Sequence, residues 1–174
     1  MTKDIYIGID PDTEKSGVAF LETGSRRLEL SVLPFPELID SLTFFQSRAE
    51  RRGLRYVTLV EAGWMVVKSN YHIASGRRGE RVAKNVGANH ETGKKIIEMC
   101  RHKGLPVIAV HPLKKIWRGA GGKITHEELS AITGYAGKTN QEMRDAALIA
   151  WIHAGFPLTS TVAGSFQNGN LKSI

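Results

Sequence analysis

The chain has 174 residues, of which 24 are Lys or Arg and 17 are Asp or Glu, giving a formal charge of +7. This length suffices for one domain with a substantial core and is short for two ordinary domains. No segment approaches the ~20 apolar residues that cross a bilayer, and the first residues form no charged-then-apolar leader. The single cysteine, Cys100, excludes an internal disulfide framework and fits a reducing compartment, so we expect a cytoplasmic protein without membrane contact.

The excess of basic residues favours a polyanionic partner, most readily a nucleic acid. If several acids are gathered at one site, the rest of the surface is more basic still. A basic soluble protein without such a partner is the alternative, and net charge alone does not separate the two interpretations.

Three extended segments open the chain. Residues 5–10 are rich in isoleucine and predict a short buried strand, which ends at Asp10 because Pro11 has no N–H for further pairing. Gly17 allows a tight turn, after which residues 18–21 form the second strand of a hairpin. Residues 27–33 alternate polar and apolar side chains and predict a third antiparallel strand.

The rest of the chain alternates helices and strands. Helical periodicity and capping residues predict helices over 36–52, 86–102, 125–132 and 140–153, and short apolar runs predict strands over 56–61 and 107–110. Strands that follow helices are expected to run parallel to the first strand through right-handed crossovers. We therefore predict one α/β domain over 1–158, with an irregular segment over 62–85 and a loosely held polar tail over 159–174.

Acidic residues occupy comparable positions on three of these elements. Asp10 and Glu61 each end an apolar strand, and Glu142 and Asp145 lie three residues apart on one face of the last helix. A carboxylate beside a buried strand is costly unless a metal ion or a lysine meets it. Four such acids could converge on a pair of divalent ions about 3.5–4 Å apart, which drives in-line phosphodiester hydrolysis.

The same motifs resemble the RuvC-type Holliday-junction resolvases of the RNase H-like (retroviral-integrase-like) superfamily. Residues 8–11, Gly-Ile-Asp-Pro, resemble the opening of that family, and Glu61 followed by Trp64 resembles its second acidic motif. Residues 142–150 are similar to its closing acid-x-x-Asp-Ala-Leu-Ala pattern, although Glu142 stands where aspartate is common. The resemblance covers about residues 4–154, and the segment after Glu61 is longer than in the usual bacterial enzymes.

The resemblance implies an RNase H-like fold with a five-stranded mixed sheet flanked by helices. It implies a metal-dependent, structure-selective DNA endonuclease that resolves four-way (Holliday) junctions by paired symmetric nicks. Two Mg²⁺ ions per active site, or Mn²⁺ in their place, would be held by Asp10, Glu61, Glu142 and Asp145. Because symmetric cutting of branched DNA needs two active sites, the resemblance also implies a homodimer, with the interface expected at 86–102.

Two groups of cationic and aromatic residues are candidates for DNA binding, because cations interleaved with glycine are common in loops that grip phosphates. The first group is Trp64, Lys68, Tyr71, Arg77, Arg78, Arg81 and Lys84, and the second is Lys114, Lys115, Arg118 and Lys123. Lys115 or Lys123 could offset charge on the scissile phosphate. A solvated surface is the alternative for the cations, and for Trp64 the choice lies between stacking on a base and packing in the core.

Other functions remain open from the residues alone. Actin-like ATPases and sugar kinases open with a similar acid-bearing hairpin, but they are much longer, and this sequence has no Gly-rich Lys-Ser/Thr phosphate loop. An RNA-directed nuclease of the same fold and a junction-binding protein without cleavage are the two alternatives to a resolvase. In the second of these, the four acids would be structural.

Overall fold

Five strands form one mixed sheet in the computed structural model, which describes residues 3–66 and 77–158, with side chains omitted at 77–82. The strands are β1 (Ile5–Asp10), β2 (Ser16–Glu22), β3 (Arg27–Leu33), β4 (Tyr56–Glu61) and β5 (Val107–Val110). The helices are α1 (Phe35–Arg51), α2 (Arg77–His102), α3 (His126–Thr133) and α4 (Gln141–His153). The strand order is β3-β2-β1-β4-β5.

The pairing directions confirm the predicted mixed sheet. β1 to β3 form antiparallel neighbours, with Asp10 opposite Gly17. β4 runs parallel to β1, with Ile9 opposite Val60, and β5 runs parallel to β4. The carboxyl ends of β1 and β4 therefore meet at the same edge of the sheet, one residue beyond the Ile9–Val60 pair.

Most predicted helices agree with the structure to within one or two residues, and the exception is the start of α2. That helix begins at Arg77 and not at Val86, so residues 77–85 are helical where the sequence predicted irregular chain. Six of the nine residues 77–85 are charged or polar and the stretch lacks an apolar stripe, although Arg, Glu, Ala and Lys favour helix. The spacing of apolar residues therefore does not predict that this part of α2 is helical. The tail over 159–174 lies outside the described residues.

The sheet carries a hydrophobic core on each face. On one face, Ile5, Ile7 and Ile9 pack with buried residues of α1 and α2. On the other face, Tyr6 and Ala19 pack with buried residues of α3 and α4. Within the part of the chain that the structure describes, no helix is both long and apolar enough to cross a membrane.

Helix α4 lies in direct contact with the β1–β2 hairpin because two glycines face it. A Cβ at Gly8 would overlap the carbonyl oxygen of Ala146 and lie 2.9 Å from the backbone nitrogen of Ala150. A Cβ at Gly17 would overlap the carbonyl oxygen of Glu142. The two glycines thus allow the first turns of α4 to lie directly over the end of β1.

We predict that Gly8→Ala lowers the free energy of unfolding by about 1–3 kcal/mol or more, because α4 must move away from the sheet. Chemical denaturation followed by circular dichroism measures the change. Gly87→Ala is the matched control, since a Cβ there meets nothing within 4 Å and alanine in a helix interior stabilises by about 1 kcal/mol. Equal effects of the two substitutions would contradict close packing at Gly8.

Candidate active site

Three carboxylates from three elements line one cavity of about 120 Å³ at the carboxyl edge of the sheet. Asp10 ends β1 and Glu61 ends β4, and the parallel register sets these strand ends side by side. Asp145 comes from the second turn of α4, which lies over β1. The structure thus brings together three of the four acids predicted to form the site.

The cations around this cavity do not fully neutralise its buried carboxylates. Burial, followed by the negative charges of Glu61 and Asp145, raises the pKa of Asp10 from 3.8 to about 8, although Lys123 acts in the opposite direction. Burial and the charge of Asp145 likewise raise the pKa of Glu61 above its ordinary value. Carboxylates in this setting favour either protonation or a bound cation.

Lys123 is the cation that meets the acids in the structure. Its Nζ donates a hydrogen bond of 2.9 Å to Oδ2 of Asp145. Burial alone would lower the pKa of Lys123, but the hydrogen bond to Asp145 and the charges of Asp145, Asp10 and Glu142 outweigh it and leave the pKa raised. Lys123 therefore stays protonated.

A glycine-rich turn presents Lys123 to the acids. Gly119 donates its backbone N–H to the carbonyl of Lys123 at 2.9 Å, and Gly122 adopts a φ of 75°, which favours glycine. The carboxylate of Glu128 accepts hydrogen bonds from the backbone N–H groups of Arg118 at 3.1 Å and Thr125 at 2.9 Å. Glu128 thus closes the capping box of α3 and also holds this turn.

Of the second basic group, three lysines lie around the acids. Lys114 and Lys115 are exposed and line the cavity together with Lys123. Arg118 is also exposed, with its Nε 4.0 Å from the carboxylate of Glu128. Three lysines therefore line the cavity beside the three acids.

Glu142 occupies a different position from the other three acids. It lies in the first turn of α4 and lines another polar cavity, of about 520 Å³, together with Asp12, Asn89 and Asn140. Its charge still contributes to the raised pKa of Asp10, although less than the charges of Glu61 and Asp145. A role for Glu142 as a metal ligand stays a prediction.

Trp64 lies in a 3₁₀ turn directly after β4 and packs against α2. A Cβ at Gly93 would lie 2.7 Å from its ring, and Lys94 Nζ lies 5.9 Å from the ring centroid. Trp64 is partly buried against the core on that face of the sheet. These contacts are the core packing that the sequence offered as the alternative, and base stacking by Trp64 stays a prediction.

The remaining residues of the first basic group are described only in part. Lys84 is exposed on α2. Arg77, Arg78 and Arg81 lie in the first two turns of that helix, where the structure gives the backbone alone. Lys68 and Tyr71 lie outside the described residues, so their predicted contacts with DNA stay predictions.

Two residues beside Asp145 were missed by sequence reasoning. Gln141 Nε2 donates a hydrogen bond of 2.7 Å to Oδ1 of Asp145, and Arg144 NH2 donates one of 2.9 Å to Oε1 of Gln141. The spacing of four between Gln141 and Asp145 is the only signal in the sequence, because residues at i and i+4 share a helix face.

The fit of a divalent metal ion depends on these contacts. Within residues 3–66 and 77–158, no three His, Cys, Asp or Glu side chains are grouped to hold one ion as they stand. Both carboxylate oxygens of Asp145 are engaged, one by Lys123 and one by Gln141. The chemistry of Asp10, Glu61 and Asp145 nevertheless fits a metal ion. Mg²⁺ and Mn²⁺ prefer carboxylate oxygens as ligands, and the nearby lysines do not fully neutralise these carboxylates.

Comparison with known proteins identifies the fold. No protein-family model matches the chain, and no curated protein matches its sequence. Among solved structures, the chain is similar to RuvC from T. thermophilus in complex with Holliday junction substrate, with a TM-score of 0.51 and 19% identity. The match covers 86% of this chain and 92% of the other chain. It confirms the predicted RNase H-like α/β fold.

We predict that the metal-free protein loses stability as pH rises from about 4 to about 8. Because the folded-state pKa of Asp10 lies above its ordinary 3.8, the folded protein holds a proton that the unfolded chain releases. Each pH unit in this window therefore removes up to about 1.4 kcal/mol of unfolding free energy. Asp10→Asn reduces this dependence, of which the raised pKa of Glu61 leaves a part, and is more stable than wild type at pH 8, as urea denaturation at several pH values would measure.

Asp4→Asn is the control, because the pKa of Asp4 is shifted in the opposite direction from that of Asp10. Asp4 accepts hydrogen bonds from the backbone and side chain of Arg55, which lower its pKa. Its contribution to stability is present at neutral pH and lost as pH falls, so Asp4→Asn keeps the loss of stability above pH 4. Parallel profiles for wild type and Asp10→Asn would contradict the raised pKa.

Proposed function

We propose that this chain is a metal-dependent, structure-selective DNA endonuclease that resolves four-way junctions by paired symmetric nicks. The observation that carries the proposal is the convergence of Asp10, Glu61 and Asp145 in one cavity bordered by Lys115 and Lys123. The fold shared with T. thermophilus RuvC, whose solved complex contains a Holliday junction substrate, supports branched DNA as the substrate.

Two Mg²⁺ ions, or Mn²⁺ in their place, would be held by Asp10, Glu61 and Asp145, with Glu142 as the fourth ligand. Bound there, the ions would supply an activated water and charge stabilisation for the leaving oxygen. Water adds to the scissile phosphorus and the P–O3′ bond breaks, which leaves a 5′ phosphate and a 3′ hydroxyl. The residues of the chain hold the acids in place at the ends of β1 and β4 and on α4.

Lys123 has two successive partners in this proposal. In the free protein its ammonium group neutralises Asp145 at 2.9 Å. With a divalent cation held by the acids, the Lys123 ammonium would be free to donate to an oxygen of the scissile phosphate. Preorganised cations at such a position stabilise the negative charge that develops in the transition state.

The DNA contacts extend outward from the cavity. Lys114 and Lys115, which are exposed and line the same cavity, would meet phosphates next to the cut. The first basic group, from Trp64 to Lys84, would also bind the junction. Two symmetric cuts need two active sites, so a homodimer belongs to the proposal, with residues 86–102 of α2 as its interface.

Cleavage of a labelled synthetic four-way junction in Mg²⁺, beside a linear duplex and a structured RNA, tests this function. We expect paired symmetric nicks in the junction alone. Asp10→Asn is expected to slow cutting at least about a hundredfold, which corresponds to ~2.7 kcal/mol of transition-state stabilisation. Asp40→Asn, at an exposed position of α1, is the matched control and keeps the wild-type rate.

The other outcomes point to other functions. Tight binding of the junction without nicks would make the chain an architectural protein with structural acids. Cutting of RNA alone would retain the metal site and replace the substrate. Equal cleavage rates for Asp10→Asn and Asp40→Asn would show that Asp10 takes no part in the reaction.

The phosphate contacts make a separate prediction. Lys114→Gln should weaken junction binding and lower the slope of log affinity against log salt by about 1, because one phosphate contact is lost. Fluorescence anisotropy over a salt series, in Ca²⁺ to prevent cutting, measures the slope. Lys103→Gln, an exposed position directly after α2, is expected to leave it unchanged, and equal slopes for all three proteins would contradict the contact.

A further inference from the structure

Arg144 uses all three nitrogens of its guanidinium group inside the protein. Its Nε donates to the carbonyl oxygen of Ile124 at 3.0 Å. NH1 donates to the backbone carbonyl and hydroxyl oxygens of Thr139 at 3.2 and 3.1 Å. NH2 donates to Oε1 of Gln141 at 2.9 Å. The planar group is therefore held in one orientation by partners from three places in the chain.

The bond to Arg144 decides which way the amide of Gln141 faces. Because Oε1 accepts from the guanidinium, the amide nitrogen is turned toward Asp145 and donates to Oδ1 at 2.7 Å. The reverse orientation would set an oxygen against the carboxylate and an NH₂ group against the guanidinium, which is unfavourable at both ends. Arg144 thus makes Gln141 a donor of fixed direction for Asp145.

Arg144 is also linked to the second carboxylate oxygen of Asp145, through the backbone next to Lys123. Ile124, whose carbonyl accepts from Arg144, directly follows Lys123 in the chain. Lys123 in turn donates to Oδ2 of Asp145. In the metal-free chain, the two oxygens of Asp145 therefore accept from Gln141, which contacts Arg144, and from Lys123, whose neighbour Ile124 contacts Arg144. Because Lys123 leaves Asp145 in the proposed function, Arg144 acts on the cation-bound acid through Gln141.

We propose that Arg144 and Gln141 are positioning residues that set the orientation of the Asp145 carboxylate for a divalent cation. The inference rests on the proposed function for the identity of that cation. Neither residue needs to touch the DNA or the ion, since both act through Asp145. Hydrogen-bond partners that orient a ligand in this way typically contribute 10–100-fold to metal affinity.

Binding of Mn²⁺ in the absence of DNA, followed by electron paramagnetic resonance, tests the proposal on the full chain. Gln141→Met and Arg144→Met are each expected to weaken Mn²⁺ binding 10–100-fold. Because the two residues act in series, the double variant should lose less than the product of the two single losses. Circular dichroism verifies that each variant is folded.

The chain offers a matched control for Gln141. Gln46 in α1 makes the same bond, from its Nε2 to Oε1 of Glu50 four residues later, at 2.8 Å on the exposed surface. Gln46→Met therefore removes an equivalent bond away from the acids and should leave Mn²⁺ affinity unchanged. A folded Gln141→Met variant with wild-type affinity would overturn the proposal.

A second measurement decides the same question without metal. In metal-free wild type, the side-chain NH₂ group of Gln141 should be protected from solvent exchange in NMR spectra, and Arg144→Met should remove that protection. Protection that survives in Arg144→Met would overturn the proposal. A wild-type chain that binds no Mn²⁺ would instead contradict the metal-dependent function, and the NMR result would still test the orientation of Gln141.

Discussion

The close contact between α4 and the β1–β2 hairpin is the constraint on which the site depends. It is possible because Gly8 and Gly17 present no side chain, so that backbone of α4 takes the space that a Cβ would fill. Small residues on the facing side of the helix, Ala146 and Ala150, extend the contact. With α4 at this depth, Asp145 meets Asp10 across the end of the sheet. Acids held by strand ends and a packed helix are more precisely positioned than acids on loops.

This packing concentrates negative charge at a largely buried site, where Lys123 forms an ion pair with Asp145. Lys123 neutralises Asp145, yet the pKa values of Asp10 and Glu61 remain raised. These buried acids therefore lower the stability of the metal-free protein once they ionise. The glycine-rich turn and Glu128 hold the segment that carries Lys123. Arg144 donates a hydrogen bond to Ile124, the residue that follows Lys123.

The strands and the strand-end acids were predictable because both follow from local patterns. A short apolar run that ends on an acid occurs twice, and parallel pairing then requires Asp10 and Glu61 to lie side by side. The polar start of α2 was not predictable from apolar periodicity, since its sequence contains no apolar stripe. The contacts of Arg144 were equally hidden, because Ile124 and Thr139 become its partners only in the folded chain. The contact between Trp64 and Gly93 could not be predicted either, because it forms only when α2 packs beside the end of β4.

In our proposal, Asp10, Glu61 and Asp145 form a divalent-cation site that Lys123 occupies in the free protein. Anomalous diffraction from crystals grown with and without Mn²⁺ would test this site. We expect an anomalous peak between the carboxylates of Asp10 and Asp145, with Lys123 Nζ displaced from its metal-free position 2.9 Å from Asp145. Saturating Mn²⁺ that leaves no peak in this cavity, with the Lys123–Asp145 bond intact, would show that the acids do not bind the ion.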